Sequence, residues 1–272
     1  MNKYLRLFRL GNGLMGILGV LTGALIAAGL DMADHWRNIA IASFVVVWFI
    51  AGGNALNDYI DRDIDVVSHP ERPLPAGEIR PRNALYASAF AFVLSIASSL
   101  LLREMVSVAA VILACALMLS YELFLKKRGF VGNVTIAVLT GMLFMLGGAV
   151  VLNIDAVVIA AAMAVLVSVG REVAKDIEDM GGDRGRKTLP MSIGVRNACI
   201  VGSLFLVAGP ILSVWPIIAK TFGPLYWLIF AADAIFIYAS YIIFKDARKA
   251  QKLCKYAMLA ALAAFILGAV YR

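Results

Sequence analysis

Residues 38–65 read NIAIASFVVVWFIAGGNALNDYIDRDID. The stretch 38–58 is apolar and matches the roughly 20 residues a helix needs to cross a bilayer. It then ends in a cluster of four aspartates, Asp58, Asp61, Asp63 and Asp65. A hydrophobic span that stops in acids places charge at a membrane edge, where each carboxylate is poorly solvated and needs a partner.

Working outward, eight further apolar runs fall near 10–30, 82–102, 105–125, 131–152, 154–176, 197–218, 222–244 and 253–271. The chain has 272 residues, 62% of them hydrophobic and 16% charged, with a mean hydropathy of +0.86. Soluble domains are about half apolar and about a quarter charged. The composition excludes a soluble enzyme, a secreted disulfide scaffold and a disordered chain. It predicts an all-α integral membrane protein, a single domain over 1–272 with nine spans. Lys3, Arg6 and Arg9 precede the first run as in a signal peptide, but that run exceeds the usual apolar region of about 7–15 residues and more spans follow.

The net charge is +7 and the sequence pI about 9.4. The positive-inside rule accounts for this balance without nucleic acid. With the N-terminus cytoplasmic and nine alternating spans, 21 of the 25 Lys and Arg residues fall on the cytoplasmic side. Arg37, Arg103, Lys220 and Arg272 fall outside. The split predicts N-in and C-out. Two long cytoplasmic loops, 59–81 and 177–196, are expected to cap the protein and carry its function. Cys115, Cys199 and Cys254 are widely separated and lie in or beside apolar runs, as packing residues do.

At about 100° per residue, a helix continuing through the first cluster would set Asn57, Asp61, Asp65 and Asp58 within about 100° of one another, with Asp63 on the other side. The second cluster, Arg171 to Asp183, would likewise put Glu172, Asp176, Asp179 and Asp183 on one face and Glu178 opposite, although Gly181-Gly182 can end the helix first. One such motif alone is often a set of solvated loop acids. Two, on neighbouring long loops, offer the hard oxygen donors that Mg²⁺ takes together with substrate phosphates. Basic residues gather around them: Arg72 in the proline-stiffened segment 69–77, Lys126 and Lys127 shortly after Tyr121, Lys187 after the second cluster, and Arg9 with Asn12 at the start of the first span. Arg186 is a further basic candidate. Asp233, alone inside the eighth span, is expected to be a hydrogen-bonded structural acid.

These residues resemble the UbiA superfamily of intramembrane prenyltransferases. Asn57, Asp58, Asp61 and Asp65 match its NDxxDxxxD motif; Asp179 and Asp183, preceded by Asp176, match its second acidic motif. Arg72 to Gly77 matches its RPLPxG loop, and Tyr121 with Lys126 and Lys127 its tyrosine and basic pair. Within the superfamily, Gly170–Asp183 and Lys187–Pro190 resemble the archaeal digeranylgeranylglyceryl phosphate synthases.

The resemblance implies nine helices in a ring around a central cavity, in the cell membrane, with the active site on the cytoplasmic side. It implies Mg²⁺ held by Asn57, Asp61, Asp65, Asp179 and Asp183, with Asp58, Asp176 and Tyr121 also in the catalytic set. Arg9, Asn12, Asn57, Arg72, Lys126 and Lys187 would bind the diphosphate or an acceptor phosphate. The implied partners are a prenyl diphosphate, a lipid-like phosphate acceptor and membrane lipid. The implied reaction transfers a geranylgeranyl group from geranylgeranyl diphosphate to geranylgeranylglyceryl phosphate, forming the second ether bond of archaeal lipids. The alternatives are an aromatic acceptor in the same superfamily, or a transporter, which nine apolar helices alone would also suit.

Overall fold

The computed structural model describes residues 2–102, 104–180 and 187–272. Arg103, Asp183 and Arg186, singled out above, lie outside them. The described residues form helices joined by turns and loops, with no strand among them. In order come α1 (Lys3–Phe8), α2 (Leu10–Ala28), α3 (Trp36–Ile60), α4 (Arg62–Ser68), α5 (Pro81–Ser99), α6 (Met105–Leu123), α7 (Phe130–Val150), α8 (Val158–Asp179), α9 (Leu189–Ile193), α10 (Val195–Ser213), α11 (Trp215–Ile218), α12 (Ile229–Ile242) and α13 (Ala247–Val270). Among the described residues, eight segments are long and apolar enough to cross a membrane. The first of them, Leu10–Ile60, contains both α2 and α3, joined by the 3₁₀ turn Gly29–His35.

Neighbours in the chain are mostly neighbours in space. α2 packs on α3 and α7, α3 on α5, α7 on α8, α8 on α10, α10 on α12 and α12 on α13, and α13 returns to touch α2 and α8. Between apolar helices in lipid, close backbone approach and interhelical hydrogen bonds replace the hydrophobic drive. Both devices are present. At the α2–α7 crossing, a Cβ on Gly23 would collide with the Phe144 carbonyl, and one on Gly147 with the Val20 carbonyl. On α5, Ser88 and Ser95 donate to the Gly52 and Val45 carbonyls of α3, at 2.8 and 2.9 Å. Large apolar side chains such as Leu14, Phe90 and Leu204 are exposed on the outside, where lipid replaces water as their solvent.

Two breaks position the polar end of the molecule. Arg9 separates α1 from α2 in the left-handed region, at φ 49° and ψ 64°, which is uncommon for a side chain of this size. Asp61 separates α3 from α4 at φ −85° and ψ 4°. The first cluster is therefore not one straight helix, as the sequence reading assumed. The hydrogen-bond ladder still runs across the kink: Asp61 N–H donates to Asn57 C=O at 2.9 Å, and Asp65 N–H to Asp61 C=O at 2.8 Å. The second expected loop begins later than its boundary at 177, because α8 continues to Asp179.

Candidate active site

A cavity of about 420 Å³ lies where six segments meet. α3 and the kink contribute Asn57 and Asp61, and α4 contributes Asp65. Arg72 comes from the proline-rich segment and Arg9 from the α1–α2 break. Tyr121 comes from the end of α6, with Lys126 just beyond it, and α8 adds Lys175, Glu178 and Asp179. Four carboxylates and four cations thus face one space.

Asp58, Asp61 and Asp65 of the first cluster are buried and have defined partners. Asp65 accepts from Arg72 at 2.6 Å, and Asp61 from Lys126 at 2.5 Å. Asp58 stands behind the wall, 1% exposed, and binds Arg9; Arg72 lies 3.6 Å from the same carboxylate oxygen. Asp58 therefore orients two arginines rather than facing the cavity itself. Asp63 points away, as the helical reading expected, with an 85% exposed side chain beside Arg62.

One member of this network was missed from the sequence. Glu122, 4% exposed on α6, lies 3.0 Å from Lys126 and accepts from the Asn57 amide at 3.1 Å. It couples the Lys126 ammonium to the asparagine that opens the first motif. The available signal was the Glu122/Lys126 spacing of four residues, which brings two side chains onto one helical face.

The second cluster divides. Asp176 turns toward α7 and accepts from Asn133 at 2.9 Å, while Asp179 lines the cavity. Glu178, expected on the opposite side, also lines it, with Lys175, and lies 3.5 Å from Arg248 of α13. The correction is one of phase: the arc that α8 presents is centred on 175–179, rather than on Asp176. Lys187 is exposed, beside Gly129, and lies outside the cavity wall.

A second, apolar chamber of about 390 Å³ extends between the helices, walled by residues such as Gly19, Ile50, Leu143, Met163, Phe236 and Phe265. Asn12 and Arg171 are among its polar lining residues. Arg171 and Lys175 are one turn apart on α8, so the polar cavity and the apolar chamber are separated by about one helical pitch of 5.4 Å along that helix. Asp233 also lines the chamber. Its carboxylate is 2.7 Å from the Ser213 hydroxyl of α10, and the Ser213 carbonyl accepts from Tyr226 at 3.1 Å, so the acid is hydrogen-bonded as expected. Cys115, Cys199 and Cys254 are buried and free.

Paired acids and cations beside an apolar chamber suit a substrate with an anionic head and a hydrocarbon tail. The chain matches the UbiA prenyltransferase family over residues 17–268. It belongs to that family. A digeranylgeranylglyceryl phosphate synthase of Methanococcoides burtonii is 37% identical, over 99% of this chain and 100% of its own. Another of the same name, from Thermococcus gammatolerans, is 38% identical over 94% of each. A solved structure described as giving structural and mechanistic insights into digeranylgeranylglyceryl phosphate synthase in membranes superposes with a TM-score of 0.83, at 33% identity over 98% of both chains. A UbiA homologue from Archaeoglobus fulgidus, solved bound to GPP and Mg²⁺, shares the fold with a TM-score of 0.73 at 16% identity, over 99% of both chains. The chain is thus a multi-pass membrane prenyltransferase, and the transporter reading falls.

Among the described residues, no three His, Cys, Asp or Glu side chains form a closed metal cage. Mg²⁺ does not require one: it takes one or two carboxylates and completes its octahedron with water and substrate phosphate oxygens. Asp61 and Asp65, both buried in the cavity wall, meet that need with hard oxygen donors.

Proposed function

We propose that this chain transfers a geranylgeranyl group from geranylgeranyl diphosphate to the free hydroxyl of geranylgeranylglyceryl phosphate, forming the second ether bond of an archaeal lipid. The observation that carries this reading is the cavity in which Asp61, Asp65 and Asp179 face Arg9, Arg72, Lys126 and Lys175, one helical turn from the apolar chamber. Near-full-length similarity to two synthases of that name supports it.

In this reading the diphosphate occupies the polar cavity and the prenyl tail lies in the chamber. Bound Mg²⁺ would neutralise the growing charge on the leaving diphosphate, and Asn57, Asp61, Asp65, Asp179 and Asp183 would hold it. The protein's own cations act on the same charge. Lys126, fixed between Asp61 and Glu122, and Arg72, fixed by Asp65, present donors preorganised where negative charge develops. Cleavage of the C1–O bond leaves an allylic cation. The apolar chamber keeps water from it. The acceptor oxygen then bonds to C1 and releases its proton; Tyr121 and the wall carboxylates stand close enough to the cavity to receive it.

The proposed topology is nine spans in a ring, with α2 and α3 crossing separately, the N-terminus cytoplasmic and the site at the cytoplasmic face of the cell membrane. The distribution of Lys and Arg supports that orientation.

The test is turnover by purified protein with geranylgeranyl diphosphate, Mg²⁺ and one acceptor at a time. The expected product is the diether phosphate. Prenylation of 4-hydroxybenzoate or 1,4-dihydroxy-2-naphthoate, with none of geranylgeranylglyceryl phosphate, would overturn the acceptor assignment.

A further inference from the structure

The side chains that line the catalytic cavity include none from α1. We infer that α1 nonetheless serves the reaction: it is a strap, and its Arg6 is a positioning residue that fixes where the Arg72 guanidinium stands in the cavity wall. The inference rests on the reading above in which Arg72 acts on the diphosphate.

Arg6 meets the proline-stiffened segment at two points. Its Nη2 donates to the Glu71 carbonyl, which belongs to the peptide joined to the Arg72 nitrogen. Its Nη1 donates to Glu78 Oε1 at 2.7 Å, and Lys3 donates to the Glu78 carbonyl at 3.1 Å. Bonds from α1 therefore land just before Arg72 and just after Gly77. A planar, rigid guanidinium fork suits such a span, because it orients both donors at once. Apolar packing closes the same joint. Leu7, 0% exposed, clusters with Leu74 and Ile79 of the segment and with Ala55 of α3. α1 is tied to α3 as well, where Asn54 donates to the Phe8 carbonyl at 3.0 Å.

A strap positions a side chain only if the segment it holds is stiff. Pro70, Pro73 and Pro75 fix their own φ angles. Ala76 N–H donates to Arg72 C=O at 3.0 Å, Gly77 N–H to Leu74 C=O at 3.0 Å, and Ile79 N–H to Pro73 C=O at 3.1 Å. A displacement at Glu71 or Glu78 is thus carried to Arg72. The other end of α1 reaches the same cation. It ends at Arg9, whose guanidinium binds Asp58, and Arg72 Nη1 lies 3.6 Å from that same carboxylate oxygen. The contacts form a ring: Arg6 holds the backbone at Arg72, and Arg9 holds an acid beside its side chain. Packing of Leu7 alone would dock α1. The bonds from Arg6 add direction, because they meet the peptide adjoining a cavity cation.

The test is a double-mutant cycle on the full chain, read as the Kd of unreactive geranylgeranyl thiolodiphosphate with Mg²⁺. Arg72→Gln alone is expected to weaken binding by more than about tenfold, the loss of a charge-assisted hydrogen bond. Arg6→Gln alone is expected to weaken it about fivefold, through misplacement of Arg72. In the Arg72→Gln background, Arg6→Gln is expected to change Kd by less than about 1.5-fold, because no guanidinium is left to position. If Arg6→Gln does not fold, Arg6→Lys takes its place; its ammonium is a point charge rather than a fork, and a loss of about threefold is expected, again absent beside Arg72→Gln. A wild-type Kd in the Arg6 variant overturns the inference. So does an equal loss in both backgrounds, which marks a contact that serves folding alone. If Arg72→Gln binds the analogue as wild type does, it is the reading of Arg72 that falls.

Discussion

The two acidic clusters differ in how completely the protein builds them. Around the α3–α4 kink, each buried carboxylate already has a partner from another part of the chain: Asp58 with Arg9, Asp61 with Lys126, Asp65 with Arg72. At the end of α8, Asp176 is committed to Asn133, Glu178 lies near Arg248, and Asp179 is exposed at the cavity. The first cluster is thus part of the folded core of the polar end, whereas the second is presented on a helix terminus. In the proposed reaction, acids of the first kind would bear on both stability and catalysis. In the proposed reaction Asp179, exposed at the cavity, would bear on catalysis alone.

Substitutions can break that contrast. The largest expected effect is from Asp61→Asn and Asp65→Asn. Each should lower the Mg²⁺-dependent rate by at least about a hundredfold, because losing metal-assisted stabilisation of the leaving group removes several kcal/mol. Each should also lower the melting temperature in detergent. Lys126 keeps Glu122 and Arg72 keeps Asp58, so the stability cost should stay below the ~3–5 kcal/mol of an orphaned buried charge.

Asp179→Asn should cost a comparable factor in rate, about a hundredfold, with no change in melting temperature. A melting temperature that falls as far as in Asp61→Asn would erase the distinction between the clusters. Glu122→Gln comes next, at about tenfold in kcat, or ~1.4 kcal/mol, because Lys126 and Asn57 lose the carboxylate that positions them. A normal kcat would reduce Glu122 to a packing residue. Asp63→Asn should be the mildest, within about twofold in rate and melting temperature, as the side chain projects into solvent. If Asp63→Asn abolishes activity while Asp61→Asn does not, the facial assignment at the kink is wrong.

The sequence disclosed the membrane class, most span positions and the first motif, because apolar runs and the Asn57–Asp65 spacing are local signals. What it hid was non-local or depended on backbone breaks. Nothing near Asp58 names Arg9, 49 positions earlier, as its partner. Glu122 sits at the end of an apolar run, where a lone acid reads as a helix terminus until Asn57 is seen beside it. The phase error at Glu178 arose from centring a wheel on the motif residues, when the arc facing the cavity is set by how α8 packs on α7 and α10. The kink at Asp61 has no proline or glycine to announce it.

The crossing of α2 and α7 acts as a caliper. Gly23 and Gly147 hold the two backbones at contact distance. One turn from Gly23, Gly19 and Leu143 face each other across the same pair of helices and form part of the chamber wall. A single methyl group added at either jaw would push the helices apart and widen the bore without touching any side chain of the acid–base network. The gauge of the apolar chamber is therefore set by backbone contact between two helices rather than by the side chains of the charged end.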